Sequence, residues 1–314
     1  MQTLTQSQIL TELEQVVEEN LNRHLTVAKE WFPHEYVPWT DGRNFDGVLD
    51  GQPWSPEDRP MSDVARSALI VNLLTEDNLP SYHHEIAVLF GRDAAWGSWV
   101  HRWTAEEGRH AIAIRDYLLT SRAVDPVQLE RLRMDHMSTG YKSAHHQALL
   151  ASLAYVSFQE LATRVSHRNT GRITNDPVAD RLLARVAADE NLHMVFYRNL
   201  LKAALELDPD QTMRAITDVV TAFEMPGADI AGFQRKAVEM AIAGVYDLRQ
   251  HRDEVVMPVL RFWKIFELEG LNAAGEKARS ELADFMDGLE KQALKFEDKR
   301  DALQARIAAR AAAR

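Results

Sequence analysis

Apolar residues recur every three or four positions along most of the chain, the period of helices with one buried face, and strand-like alternation is nearly absent. Ile9, Leu13, Val16, Asn20, Leu21 and His24 outline a first helix. Residues 31–61, rich in Pro, Gly, Asp and Trp, read as a long irregular segment. Ser62 and Asp63 offer caps for a second helix, whose stripe Leu69, Asn72/Leu73, Glu76, Pro80, His83, Ala87, Phe90 runs to Gly91. Pro80 predicts that the helix bends or opens there, because it cannot bond the carbonyl of Glu76 four residues earlier. Further helices are expected at about 93–121, at about 144–169 with a stop at the "NTG" ending in Gly171, and after the "NDP" at 175–177. Others follow at about 209–223, 227–243, 251–267 and from 273 onward. The pattern predicts an all-α fold.

Three helices break their apolar stripe with a glutamate in the same setting. Trp99, Trp103, Glu107, His110, Ile114 and Tyr117 share one face of the third. Leu149, Leu153, Val156, Glu160, Thr163 and His167 share one face of the fourth, and Leu183, Val186, Glu190, His193, Tyr197 and Leu200 one face of the fifth. Glu76 breaks the second helix likewise. Glu107 and Glu190 each carry a histidine three positions on. Among 24 glutamates and 12 histidines in 314 residues, about one Glu-x-x-His is expected by chance. Here two occur in matching surroundings. "AEEGRHAIAIRDYL" at 105–118 lies over "ADENLHMVFYRNLL" at 188–201 with Ala, Glu, His, Arg and Leu in register, and Glu106 and Asp189 place an acid before each central glutamate. Glu76 precedes Glu107 by 31 positions, and Glu160 precedes Glu190 by 30. The unit reads as a duplicated helix hairpin.

Four carboxylates inside one apolar bundle would lose hydration and repel one another, at a cost of several kcal/mol per ion without compensation. Two divalent cations carry the charge that balances them. Four glutamates and two imidazoles form the inward-facing set of a di-iron or di-manganese carboxylate bundle, and such oxygen and nitrogen donors suit those metals. Without metal, mutual repulsion and burial are expected to raise the pKa values of all four glutamates. A metal-bound imidazole gives its second N–H to an acid, so Asp189 is expected behind His110 and Glu106 behind His193. The plainer readings are a core residue for Trp103, a hydroxyl bonded to its own helix for Thr163, a packing anchor for Trp31, and ordinary buried groups for His24, His83 and His167.

Composition narrows the rest. The chain has no cysteine, which excludes disulfides and thiolate-bound metal and fits a reducing cytoplasm. No run of about 18 apolar residues predicts a transmembrane helix, and the acidic N-terminus shows no secretory signal. A net charge of −11 argues against nucleic acid as a partner. Length alone suggests about two domains; the helical pattern is read as a single domain over 1–298 with an Ala/Arg-rich extension at 299–314.

"LLTEDNLPSYHHEI" (73–86), "WTAEEGRH" (103–110), "SFQELATRVSHRNTG" (157–171) and "AADENLHMVFYRNL" (187–200) resemble the motifs of the soluble acyl-[acyl-carrier-protein] desaturases, in their mycobacterial form. The likeness extends from "KEWFPHEYVPW" (29–39) through "MPG" (225–227) and "GVYD" (244–247) to "FWKIFELEGLNAAGEKA" (262–278). The resemblance implies a ferritin-like helical bundle, a four-helix di-iron core with flanking helices, and a homodimer. It implies oxygen-dependent desaturation of a fatty acyl chain on acyl carrier protein, with two electrons from a ferredoxin-like donor. Glu76, Glu107, His110, Glu160, Glu190 and His193 match the ligands of two irons, for which manganese could substitute. Thr163 matches a threonine beside bound oxygen. Trp31 and Asp189 match residues connecting the surface to the centre through His110, and Glu106 and Trp103 stand around the same ligands. Arg164, Arg168, Arg172, Arg235 and Lys236 are candidate contacts for the acidic carrier. The shorter Glu76–Glu107 connection and the different C-terminus leave chain length and double-bond position open. Other readings of the ligand set are a catalytically silent carrier-binding relative, a ferroxidase-type bundle, and a radical-generating subunit, which needs a tyrosine nearer the metals than Tyr117 or Tyr197.

Overall fold

A computed structural model describes residues 3–141, 148–228, 230 and 232–312. Among these there is no strand, and one isolated bridge joins Phe45 to Gln52. Helix α1 (Gln6–Val27) starts at Thr5, whose hydroxyl accepts from Gln8 N while Gln8 returns a bond to Thr5 N, and it buries Ile9, Leu13, Val17, Leu21 and His24. The segment 31–61 is irregular, with three short 3₁₀ turns.

Helix α2 (Asp63–Asp77), capped by Ser62, ends one residue after Glu76, and α3 (Leu79–Phe90) begins afresh beyond Asn78 with Pro80 in its first turn. Of the expected bend or opening, the structure has the opening, with the helix broken at Asn78. A first-turn proline costs nothing because its missing N–H would have no helical partner. Helix α4 (Ala94–Thr120) follows, then α5 (Pro126–Thr139), for which the sequence pattern gave no indication. Helix α6 (Leu149–Ile173) and α7 (Pro177–Leu207) form the most extensive helix pair. The expected beginning of α6 at 144–147 lies outside the described residues. Its expected stop at Gly171 is corrected: Gly171 is buried inside the helix, where an added Cβ would come within 3.1 Å of Asp180 Cα on α7. That glycine serves a close helix approach rather than a cap.

Helices α8 (Pro209–Thr221), α9 (Phe233–Ile242), α10 (Leu248–Gln250), α11 (Met257–Trp263) and α12 (Ala273–Ala312) complete the chain. A π-turn over His251–Val256 joins α10 to α11 just ahead of Pro258, which sits in the first turn of α11 and has no N–H to give to the turn before it. α12 runs unbroken across residues 298–299. No described helix is long and apolar enough to cross a membrane.

The core is layered in a way that positions the site. Trp99 and Trp103 of α4, and Met194 and Tyr197 of α7, belong to the largest apolar cluster. Ala113, Ile114 and Tyr117 of α4, and Leu183 and Val186 of α7, belong to a second, which also holds Trp31. Glu107 and His110 on α4, and Glu190 and His193 on α7, fall between the two. The polar belt is sealed above and below.

Candidate metal centre

The six residues singled out by spacing converge. Glu76 (α2), Glu107 and His110 (α4), Glu160 (α6), and Glu190 and His193 (α7) are all buried, the two histidines completely. Glu76, Glu107, His110 and Glu190 can each bring one donor atom within 4.8 Å of the others, and so can Glu107, Glu160, Glu190 and His193. Glu107 and Glu190 belong to both groups. His110 Nδ1 lies 3.1 Å from Glu190 Oε1, 3.3 Å from Glu107 Oε2 and 3.5 Å from Glu76 Oε2. His193 Nδ1 lies 2.7 Å from Glu107 Oε1 and 3.6 Å from Glu160 Oε2.

These atoms are close without being hydrogen-bonded. His110 Nδ1, His193 Nδ1, Glu107 Oε1, Glu160 Oε2 and Glu190 Oε1 are all buried and have no aligned partner. A buried polar atom without a partner costs about 1–3 kcal/mol, and five facing one another call for an explanation. Two cations on this donor set satisfy all five. The chemistry of the residues therefore fits a pair of metal ions.

The outward-facing atoms are held firmly. His193 Nε2 lies 2.9 Å from Glu106 Oε2. His110 Nε2 lies 3.4 Å from Asp189 Oδ2, which also accepts from Trp31 Nε1 at 2.7 Å and Arg109 Nη2 at 3.1 Å. Trp31 stacks over His110 with centroids 6.3 Å apart. Trp103 packs in the core and its indole N–H also donates to Glu160 Oε1 at 3.1 Å. Thr163 combines both readings of it: Oγ1 is 3.0 Å from the Glu160 carbonyl, 3.2 Å from that of Gln159, and 2.9 Å from Glu190 Oε2.

Two histidines read as ordinary buried groups prove to adjoin the centre. His167 Nε2 lies 2.8 Å from Glu76 Oε1, and His24 Nε2 lies 2.9 Å from Glu106 Oε2. The one signal for His167 was its place on the Glu160–Thr163 stripe. His83 faces Thr104 instead, at 2.7 Å.

The electrostatics split the four glutamates rather than raising all of them. Burial, then the charge of Glu190, raises Glu107, and burial with Glu190 and Glu107 raises Glu160 well above the carboxylate range. Burial alone would raise Glu76 too, but the nearby His110 and the hydrogen-bonded His167 hold it below. His110 likewise outweighs burial and the charge of Glu76 at Glu190. Both metal-facing imidazoles, which burial alone would lower, are held well above the ordinary value by the surrounding carboxylates. Without metal, the cage neutralises itself with protons.

A largely apolar pocket passes the centre, touching Glu76, Glu107 and Thr163 between Leu79, Ile86 and Val156. It shares Thr75, Thr163 and Pro226 with a second pocket bounded by Met225, Phe233, Met240 and Tyr246. The candidate carrier contacts are scattered over α6 and α9. Arg164 and Arg172 are exposed, Lys236 is half-buried, Arg168 pairs with Asp180 at 3.0 Å, and Arg235 pairs with Glu239 at 3.0 Å.

Comparison with known proteins agrees with this geometry. Residues 5–312 match the fatty acid desaturase family. The chain is 54% identical over 301 residues to DesA1 of Mycobacterium tuberculosis, named as a candidate acyl-[acyl-carrier-protein] desaturase, covering 94% of this chain and 89% of that one. It is 31% identical over 302 residues to the chloroplastic stearoyl-[acyl-carrier-protein] 9-desaturase of Simmondsia chinensis, covering 90% and 74%. The X-ray structure of DesA2 from M. tuberculosis, titled as a candidate acyl-ACP desaturase, superimposes with a TM-score of 0.70 at 32% identity, covering 87% of this chain and 98% of that one. The chain has the ferritin-like all-α architecture, and it belongs to the fatty acid desaturase family of oxidoreductases.

Proposed function

We propose that this protein desaturates a saturated fatty acyl chain carried on acyl carrier protein, using oxygen and two electrons from a ferredoxin-class donor. Two iron ions would be held by Glu76, Glu107, His110, Glu160, Glu190 and His193, with manganese as a possible substitute. The carrying observation is the set of unpartnered Glu and His atoms facing one another beside an apolar cavity. The names of the relatives support the substrate class.

Each residue has a task in this reading. Glu107 and Glu190, common to both ligand groups, would be available to both ions, Glu76 and His110 to one, and Glu160 and His193 to the other. Glu106 and Asp189 fix the imidazole tautomers so that both Nδ1 atoms face inward. Bound iron supplies the oxidising power that side chains lack for an unactivated C–H bond. The cavity walls exclude water and lay the chain alongside Glu107 and Thr163. The Thr163 hydroxyl holds a proton at Oγ1 beside Glu190. Trp31, hydrogen-bonded to Asp189 behind His110, lies on the proposed electron path. Arg164, Arg168, Arg172, Arg235 and Lys236 are proposed to meet the acidic carrier, and the working assembly is proposed to be a cytoplasmic homodimer.

The test is iron-loaded protein with stearoyl- or palmitoyl-acyl carrier protein, oxygen, ferredoxin and its reductase. Mass spectrometry should show loss of two hydrogens from the acyl chain. Protein that binds two irons and the carrier yet yields no unsaturated product with either chain would overturn the reading in favour of a silent carrier-binding relative.

A further inference from the structure

The N-terminal segment reaches both halves of the duplicated site. Behind His110, Asp189 is engaged by Trp31. Behind His193, Glu106 is engaged by His24, from the last turn of α1. His24 Nε2 and His193 Nε2 each lie 2.9 Å from the same oxygen, Glu106 Oε2, while Arg102 Nε holds Oε1 at 2.6 Å. The His24 ring is itself fixed, buried edge-on against Trp99 at 5.1 Å and stacked on His193 at 5.8 Å between centroids.

The two halves differ in one respect that makes His24 matter. Glu106 stands where the other half has Asp189, and its extra methylene adds a rotatable bond. A carboxylate free to swing cannot fix the tautomer and direction of the imidazole it serves. Two donors on Glu106, one from α1 and one from α4, remove that freedom. His24, Glu106 and His193 lie close enough to hold a cation themselves. The Arg102 guanidinium already supplies the positive charge Glu106 needs, so the observations favour positioning over a third ion.

Resting on the reading that the six residues bind two ions, we propose that His24 is a positioning residue for the His193 half of the centre. Its Nε2–H pins Glu106, Glu106 pins His193 Nε2, and His193 Nδ1 is thereby aimed at Glu107 and Glu160. Loss of His24 should weaken that metal subsite and spare the one built on His110.

Cobalt(II) is the probe, read by its visible absorption bands and by titration calorimetry on the full chain. His110→Ala and His193→Ala provide backgrounds with one intact subsite each. His24→Phe should weaken cobalt binding about 10–100-fold in the His110→Ala background and leave it unchanged in the His193→Ala background. His24→Gln, which keeps a donor, should recover most of the loss; His24→Asn, too short to reach Glu106, should not. Circular dichroism and melting curves separate misfolding from selective loss. If His24→Phe proves unstable, the Gln and Asn variants decide the comparison alone. Equal weakening in both backgrounds, or no weakening in either, overturns the inference while leaving the metal centre standing. Failure of the parent protein to bind cobalt overturns the centre itself.

Discussion

Thr163 Oγ1 lies 2.9 Å from Glu190 Oε2 and within 3.2 Å of two carbonyls of its own helix. One hydroxyl proton therefore has three acceptors, and rotation of the O–H about the Cβ–Oγ1 bond turns it between the helix and the centre. Thr163→Val keeps the branched shape but removes the proton. The variant should fold and bind two metals. It should form less unsaturated product per electron consumed and release more peroxide. Losing one proton-transfer partner costs roughly 10²-fold, less where water stands in. Product measured against reductant decides: coupling as tight as in the parent protein leaves the hydroxyl with a packing role only.

The raised pKa values of His110, His193, Glu107 and Glu160 fix how metal-free stability depends on pH. A group whose pKa is raised by folding binds more protons folded than unfolded, so its contribution falls as pH rises. For the carboxyls this decline starts at their unfolded value near 4.5, and for the imidazoles near 6.5. Glu76, Glu106, Glu190 and Asp189 are shifted the opposite way, and their contribution is lost as pH falls below about 4.5 for the glutamates and 3.8 for the aspartate. The metal-free protein should therefore melt highest in mildly acid solution and less well at pH 8. Iron or cobalt must displace the protons and binds only the folded cage, so metal should raise the melting temperature more at pH 8 than at pH 5.5. A metal-dependent gap that is constant over this range would show that the cage is not protonated.

The parts of this molecule legible in the sequence are those with a local signature. Glu107 and Glu190 stand out because each interrupts an apolar stripe and carries a histidine one turn on. Helix α5 left no such trace. It buries only Leu129 and His136, too few to draw a stripe. His24 and His167 read as ordinary buried residues in the sequence because the acids they meet, Glu106 and Glu76, are 82 and 91 positions away. Spacing within one helix carries no information about such pairs. The same limit explains the divided glutamates, since what separates Glu76 from Glu160 is a histidine supplied by another helix.

Gly171 offers a test of the α6–α7 contact that frames Glu160 and Glu190. A Cβ at this position would lie 2.9 Å from Asp180 Oδ1 and 3.1 Å from Asp180 Cα. The carboxylate can move aside, but the backbone carbon cannot without shifting α7. Gly171→Ala should therefore destabilise the fold by about 1–3 kcal/mol, the usual cost of overpacking, despite alanine's better helix propensity. Chemical denaturation of the metal-free protein measures this. A variant as stable as the parent would mean that the two helices separate freely at this point.

Arg122 ties the irregular segment before α2 to the bundle. It is 2% exposed and sits just beyond α4 at φ 53°, a conformation that disfavours side chains. Its Nε donates to Asp58 Oδ2 at 2.7 Å, its Nη2 to the carbonyls of Pro53 and Gln52 at 2.8 and 3.1 Å, and its Nη1 to that of Asn44 at 3.3 Å. The guanidinium lies 4.2 Å from the Phe45 ring centre, and the Arg122 carbonyl accepts from Trp54 Nε1 at 3.0 Å. A lysine can reach one or two of these acceptors but not the planar fork as a set. Arg122→Lys should therefore loosen residues 43–58 while leaving the six ligands in place, whereas Arg122→Met should loosen them further. The expected result is faster protease cleavage within 43–58, at unchanged metal stoichiometry. The melting temperature should fall by roughly 2–4 °C for each kcal/mol lost. Cleavage at the parent's rate in Arg122→Met would place the anchor of this segment in its own turns rather than in the arginine.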